Sequence, residues 1–194
     1  MGIETMKIGI LGIGQTDLNA AVRIQESLDS IFTGSQSRVI DEQIPLPEEA
    51  FDQTRKQYDS DVILKKVKDF AEKQMFDRVL GIVDVDIYVQ RLNFVFGEAD
   101  CPGKTALISL WRLRQEFYGL SSRNELFFER SEKEAVHELG HTLGLQHCSN
   151  PFCVMHFSNS IHDTDVKKNF FCKKCSLEVE TKISDIGMDL EGRV

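Results

Sequence analysis

The sequence predicts one α/β domain whose sheet is mixed but mostly parallel, with an antiparallel strand at one edge. Strand and helix patterns alternate as βαβαβ between Lys7 and Val83, an order that favours parallel strands covered by helices. Two apolar segments around Pro102–Gly103 then indicate a hairpin. A long amphipathic helix pattern follows near residue 135. Together these three observations define the fold class.

Each element has its own signal. Lys7–Leu11 is an apolar, β-branched run typical of a buried strand, and residues 37–44 form a second strand that ends at Pro45. Apolar side chains recur at helical spacing after both strands. The predicted helices cover about Asp17–Phe32 and Tyr58–Gln74, and the later strands are Arg78–Val83, Asn93–Glu98 and Thr105–Trp111.

Three glycines after the first strand suggest an alternative, a dinucleotide-binding turn. Gly9, Gly12 and Gly14 precede a helix, as the glycines of that motif do. The position of the motif's last glycine, however, holds Asp17. An acidic residue at the start of a helix repels a pyrophosphate. We therefore interpret the glycines as a tight turn between strand and helix.

The string HELGHTLGLQH, which begins at His137, indicates a catalytic metal site. His137 and His141 are one helical turn apart, so their imidazoles face the same side of a helix. Gly144 permits a sharp turn that returns His147 as a third ligand. Three protein ligands leave a tetrahedral zinc one position for water. Glu138, beside the first ligand, is placed to act on that water.

The surrounding helix pattern agrees with this assignment. Its opposite face is apolar and carries Ala135, Val136, Leu139 and Leu143. The helix start has two candidates, a capping box of Ser131 with Glu134 and an earlier start at Asn124. Histidines that bind no metal are the alternative interpretation. The added glycine and third histidine make the long motif far more specific than its first five residues.

Four of the five cysteines are spaced for a second zinc site. Cys148 and Cys153 form one pair, and Cys172 and Cys175 form a C-x-x-C. A closed four-thiolate site stabilises structure because the protein fills every coordination position. The alternatives are two disulfides or a redox-active C-x-x-C. No apolar signal peptide begins the chain, and the C-x-x-C does not follow a strand in a βαβ unit. We expect Cys101 to be a free thiol.

These motifs together resemble the archaemetzincins, a family of metzincin zinc peptidases. The residues that carry the resemblance are His137, Glu138, His141, Gly144, His147, Cys148, Cys153, Met155, Cys172 and Cys175, and LNFVFGEAD at 92–100 is also similar. The resemblance implies a zincin-like fold with a backing helix and an active-site helix. It also implies two zinc ions per chain, one catalytic and one structural, and a Met-turn at Met155 beneath the catalytic metal.

We expect residues 1–194 to form a single metallopeptidase domain with a cleft. Residues 1–144 would make the upper subdomain with the active-site helix, and residues 145–183 a lower, zinc-stapled subdomain. Residues 184–194, rich in Asp, Glu and Gly, are predicted to be a loose tail. No pro-segment is recognisable.

Composition limits the partners. The net charge of −8 argues against nucleic acid, and no apolar run reaches the length of a membrane span. We expect a cytoplasmic monomer that acts on peptides or proteins, because reduced cysteines that hold zinc are typical of that compartment.

The predicted function is hydrolysis of peptide bonds by a Glu138-assisted water, with substrate extended along Asn93–Glu98. The alternative is a zinc-stabilised binding or regulatory domain with little proteolysis. Phe157 favours it weakly, because some metzincins place a tyrosine there that touches the transition state. His156 either lines the floor of the site or, as we favour, is a satisfied turn residue. His162 is expected in a solvated loop.

Overall fold

A five-stranded sheet lies at the centre of the structure, a computed structural model that describes residues 5–191 and the side chains of residues 5–186. In chain order the strands are β1 (Met6–Ile13), β2 (Ser35–Ile44), β3 (Phe51–Asp52), β4 (Gln57–Asp59), β5 (Arg78–Val83), β6 (Ile87–Tyr88), β7 (Gly97–Ala99) and β8 (Thr105–Ser109). The sheet order is β2-β1-β5-β8-β7. Its first four strands are parallel, and the edge strand β7 is antiparallel to β8. The predicted fold class is confirmed.

Within residues 5–191, five α-helices accompany the sheet. They are α1 (Leu18–Ile31), α2 (Ser60–Ala71), α3 (Asn124–Thr142), α4 (Ile161–Val166) and α5 (Lys173–Glu191). Asp17 caps α1 by accepting hydrogen bonds from the backbone N–H groups of Asn19 and Ala20 at 2.9 and 3.1 Å. Gly14 has φ +67°, so the turn before α1 requires the left-handed conformation that glycine adopts easily. The predicted first helix and its tight turn are therefore confirmed.

Helices cover both faces of the sheet. Side chains alternate along β1, so Ile8 and Ile10 join one buried cluster and Leu11 and Ile13 join another. The first cluster includes the apolar sides of α1 and α3, and the second includes that of α2. Helix α1 thus forms the backing layer beside α3. None of the described helices is long and apolar enough to cross a bilayer.

Two predicted elements have different bounds. Helix α2 begins at Ser60 rather than Tyr58 because Asp59 caps it, with Oδ1 accepting from the Asp61 N–H at 3.0 Å. Residues 57–59 instead form β4 of a small sheet, β3-β4-β6, which was not predicted. In the hairpin, only Gly97–Ala99 pairs with Thr105–Ser109. The Asn93 carbonyl accepts hydrogen bonds from Arg55 and Gln57 instead, at 3.0 and 2.9 Å.

The active-site helix begins at Asn124, so the capping box of Ser131 with Glu134 is wrong. Ser131 lies inside the helix, where its hydroxyl donates to the Phe127 carbonyl at 2.8 Å. Glu134 is occupied by other partners, including Lys167. The earlier of the two candidate starts is confirmed.

The predicted loose tail over residues 184–194 is wrong for residues 184–191, which belong to α5. Residues 192–194 lie outside the described part of the chain. The physical reason is a stripe of buried side chains on α5, Cys175, Val179 and Ile183, which continues into this segment with the partly buried Ile186 and packs on the main cluster. The count of acidic residues and glycines suggested disorder because it ignored this periodicity.

Candidate active site and metal centres

Helix α3 brings three histidines to the bottom of a cavity. His137 and His141 project from the same face of α3. Gly144, with φ +92°, ends the helical run and turns the chain so that His147 returns to them. One ring nitrogen from each histidine lies within 4.8 Å of the other two. The structure therefore brings together the three residues that the motif predicted as ligands.

Backbone carbonyls fix the orientation of two of these rings. His137 Nδ1 lies 2.8 Å from the Val154 carbonyl, and His141 Nδ1 lies 2.7 Å from the Leu145 carbonyl. A carbonyl only accepts, so each Nδ1 carries the proton and each Nε2 keeps a free lone pair. The two Nε2 atoms approach to 3.1 Å. This is close to the separation of about 3.3 Å expected for two imidazole nitrogens on one tetrahedral zinc.

Burial also suits these histidines to a metal. It lowers the pKa of His137 well below its ordinary value, with the charges of Lys167 and His141 adding to the effect. Burial likewise lowers the pKa of His141 and of His147. Neutral imidazole is the form that ligates metal. The donor set, its tautomers and its spacing therefore fit zinc.

Glu138 lies beside this cluster in a buried environment. Burial raises the pKa of its carboxyl well above the ordinary value, and the neighbouring charge of Glu134 adds to the shift. The edge strand makes room for it at Gly97. A Cβ at that position would lie 2.5 Å from Glu138 Cγ and 2.7 Å from the Leu107 carbonyl. Glycine is therefore required where β7 crosses the carboxylate.

The cavity above the cluster has a volume of about 540 Å³. The chain from Val89 to Ala99, which ends in the edge strand, lines its upper rim, and Phe157, Ser158 and Asn159 line its lower wall. The side chains of His137, Glu138, His141 and His147 form its floor. An extended chain laid along β7 would therefore pass directly over the histidines and Glu138.

The four predicted cysteines form a second cluster. The sulfurs of Cys148, Cys153, Cys172 and Cys175 all lie within 4.8 Å of one another. Cys148 Sγ and Cys172 Sγ are 3.8 Å apart, as expected for two thiolates at about 2.3 Å from a tetrahedral zinc. All four thiols are free, so the disulfide alternative is wrong for this structure, and Cys101 is a free, exposed thiol as predicted.

The C-x-x-C lies at the start of α5, and the element before it is α4 rather than a strand of a βαβ unit, as expected. A hydrogen bond from the Cys175 backbone lowers the pKa of the Cys172 thiol to about 7. Burial raises the pKa of Cys153 and of Cys175. One sulfur is thus ready to be a thiolate, and those of Cys153 and Cys175 are buried away from water.

Met155 lies beneath the active-site helix and is fully buried. Its sulfur packs so closely on Gly140 that a Cβ there would collide with it. His156 donates from Nδ1 to the Cys148 carbonyl at 2.8 Å, which agrees with a satisfied turn histidine. The Phe157 ring lies 4.9 Å from the His147 ring, between centroids. His162 is exposed as predicted, but in α4 rather than in a loop.

Two features of the site were not predicted from the sequence. The first is Gly97. That glycine is required there becomes visible only once β7 is placed against Glu138 of α3. The second is a buried ion pair in which Lys167 Nζ lies 2.9 Å from Glu134 Oε1. Glu134 could have been found, because at about 100° per residue it falls between His141 and Glu138 on the same face. Its partner, far along the chain, carries no such signal.

The chain matches the sequence model described as Peptidase family M54 over residues 10–181, a range that includes both clusters. Several curated relatives are named archaemetzincin. The one from Methanocaldococcus jannaschii is 50% identical over 139 residues, which cover 72% of this chain and 75% of the relative. The one from Pyrococcus abyssi is 41% identical over 182 residues, which cover 90% and 95%.

Solved structures give the same result. The crystal structure of archaemetzincin from Methanopyrus kandleri superposes with a TM-score of 0.82 at 34% identity, covering 92% of this chain and 96% of that one. The archaemetzincin from Archaeoglobus fulgidus, complexed with malonate, gives 0.76 at 36% identity, covering 89% and 99%. A zinc-dependent peptidase from Methanocorpusculum labreanum gives 0.81 at 29% identity, with coverage of 89% and 99%.

Proposed function

Because the chain belongs to peptidase family M54, the archaemetzincins, and is a zinc metallopeptidase, we propose that His137, His141 and His147 hold its catalytic zinc. The observation that carries this proposal is the convergence of the three ring nitrogens within 4.8 Å at the floor of the cavity. When bound there, zinc supplies a Lewis acid that polarises the scissile carbonyl and lowers the pKa of a bound water to about 7.

Glu138 is proposed as the general base. Its carboxylate lies on the same helix face as the ligands and lines the cavity. It would take a proton from the attacking water and deliver that proton to the leaving amine nitrogen. Gly97 supports this role by allowing the edge strand to approach Glu138 closely. The side chain therefore acts where an extended substrate would lie.

We propose that the substrate is a peptide or protein that adds a strand to the sheet at β7. This strand is the edge of the five-stranded sheet, and its residues line the cavity. The backbone groups on its free side are available for pairing with an extended chain. Met155, packed on Gly140 below the ligands, would serve as the Met-turn that supports them.

The four cysteines are proposed to hold a structural zinc, giving two ions per chain. Cys148 directly follows His147, so a metal on the thiolates would also fix the position of the third histidine. We further propose a cytoplasmic monomer with no nucleic-acid or membrane partner. The free thiols and the net charge of −8 support this.

The proposal is tested with the full chain loaded with zinc and incubated with a diverse peptide library, with products identified by mass spectrometry. We expect cleavage that stops on chelation and returns when zinc is restored. His141→Ala should lose both the catalytic zinc and the activity. A chain fully loaded with zinc that cleaves no member of the library would contradict the proposal and support the binding-domain alternative.

A further inference from the structure

The cavity continues past Glu138 to a second carboxylate on the same face of α3. Glu134 precedes Glu138 by four residues, which is about 6 Å along the helix axis, and it also lines the cavity. In the proposed function, on which this inference rests, Glu138 protonates the leaving amine. The residue that carries this amine therefore lies on the side of Glu138, and Glu134 is the next group its side chain meets.

A buried lysine outside the cavity compensates the charge of Glu134. Lys167 Nζ lies 2.9 Å from Glu134 Oε1 in a charge contact that lacks hydrogen-bond geometry, and the Thr164 hydroxyl donates to the same oxygen at 3.0 Å. Lys167 is fully buried and lies outside the cavity lining, so it reaches a ligand only through Glu134. The pair carries no net charge. Because both contacts fall on Oε1, Oε2 keeps its capacity to accept from a ligand.

A second polar side chain also lines the cavity. Ser158 lines the lower wall, and its buried Oγ has no hydrogen-bond partner among the residues that the structure describes. An unpaired buried hydroxyl is unfavourable because it has given up its hydrogen bonds to water. A ligand atom that bonds to it would remove this penalty. The hydroxyl can both donate and accept, whereas Glu134 in its ion pair only accepts.

Ion pairs hold this wall firmly against α3. Arg130 binds both carboxylate oxygens of Asp165 on α4, at 2.7 and 2.8 Å. Lys133 Nζ donates to the Thr164 carbonyl at 3.2 Å. These contacts fix α4, which directly follows Ser158 and its neighbours in the chain. The segment that carries Ser158 is therefore held against the helix that carries Glu134.

We propose that Glu134 and Ser158 form the floor of the subsite for the residue on the leaving-group side of the scissile bond, and that this subsite selects a neutral carboxamide, Gln or Asn. The amide NH₂ donates to Glu134, and the amide oxygen accepts from the Ser158 hydroxyl. An acidic side chain cannot donate to Glu134 and would place a desolvated charge beside a neutral pair. A basic one would add a positive charge beside a pair that is already neutral. An apolar one would leave Ser158 unpaired.

The test compares four peptides that differ only at this position, with Gln, Glu, Met or Lys. Gln, Glu and Met have similar size, so their comparison isolates charge and hydrogen bonding. We expect kcat/KM to be roughly tenfold higher for Gln than for Met, as the loss of one or two hydrogen bonds implies. Glu and Lys should be cleaved more slowly than Gln. Equal or faster cleavage of the Met or Lys peptide overturns the proposal.

Two variants test whether Ser158 and Glu134 cause the preference for Gln over Met. Ser158→Ala should bring the ratio of kcat/KM for Gln over Met close to one, whereas Ser121→Ala, at an exposed position outside the cavity lining, should leave the ratio unchanged. The double change Glu134→Leu with Lys167→Met removes both charges together, so no buried charge is left alone. It should reverse the preference in favour of Met. An unchanged ratio in Ser158→Ala and in the double variant overturns the assignment.

A binding measurement separates this inference from the proposed function. The product on the leaving-group side carries the selected residue at its amino terminus. Calorimetry on the zinc-loaded parent should give tighter binding for the Gln-led peptide than for the Met-led peptide, by about the same factor. If nothing is cleaved but this preference is present, the hydrolytic proposal fails and the subsite stands. If the affinities are equal, the subsite proposal fails whether or not peptides are cleaved.

Discussion

The histidine cluster and the cysteine cluster are joined by the bond between His147 and Cys148, yet they are built in opposite ways. The histidine half opens onto a cavity and buries the carboxyl of Glu138, whose charged form is disfavoured there. The cysteine half is closed, and its four sulfurs point at one another. We infer that the groups needed for function lower the stability of the histidine half, and that the cysteine half offsets this loss.

The largest effect should follow from breaking the cysteine half. Cys175→Ser removes one ligand from a buried cluster that joins α5 to the chain after His147. Structural zinc contributes on the order of 10 kcal/mol in small domains, so we expect this variant to fold poorly or not at all. Thermal melting with zinc quantification measures it. Cys101→Ser, the matched control at an exposed thiol, should melt like the parent, and equal melting of all three proteins would contradict the structural role.

Changing Glu138 tests the opposite property of the histidine half. Glu138→Gln keeps the size of the side chain but cannot accept a proton. Peptide hydrolysis should fall by about 10²–10⁴-fold, the range of general acid–base catalysis. Zinc content and melting temperature should not fall, because the buried carboxylate is not one of the three converging ligands. Undiminished hydrolysis would show that another group acts as the base.

A smaller loss is expected at Gly97, where the two layers of the active site meet. Gly97→Ala places a methyl group 2.5 Å from Glu138 Cγ and 2.7 Å from a strand carbonyl. The strand must shift, and overpacking of this kind costs about 1–3 kcal/mol. Hydrolysis should fall as well, since the edge strand and the base move apart. Denaturant melts and kcat/KM are the measurements. A variant equal to the parent in both would mean that the strand can move to accept a methyl group without loss of stability or activity.

The residues that converge in both halves were predictable from the sequence because short-range rules govern them. Helical periodicity brings His137 and His141 together, and the pairs of cysteines need only a loop between them. The ion pair of Glu134 with Lys167 depends on how α4 packs on α3, which no local pattern encodes. The small sheet was missed because strands of two or three residues show no periodicity. The helical tail was missed because composition was weighed above the spacing of Val179 and Ile183.

The smallest effect should come from Glu98, on the edge strand beside the cavity. Burial raises the pKa of its carboxyl from about 4.5 to about 7, and the charge of Asp61 adds to this, whereas a hydrogen bond to Ser60 opposes it. Its Oε2 is buried and has no hydrogen-bond partner among the described residues. The folded protein therefore holds this proton more tightly than the unfolded chain does. Folding stability should fall as pH rises from about 4.5 to about 7, and the loss should stay constant above that range.

Glu98→Gln removes this titration while keeping the shape of the side chain. Because the group is partly exposed to water, we expect a gain of only about 1–2 kcal/mol in the free energy of unfolding at pH 8. At pH 4 the parent carboxyl is neutral as well, so the variant should unfold like the parent. Urea melts at the two pH values give the difference directly. A stabilisation of the same size at pH 4 would contradict this. It would mean that Gln improves packing and that ionisation of Glu98 does not lower the free energy of unfolding.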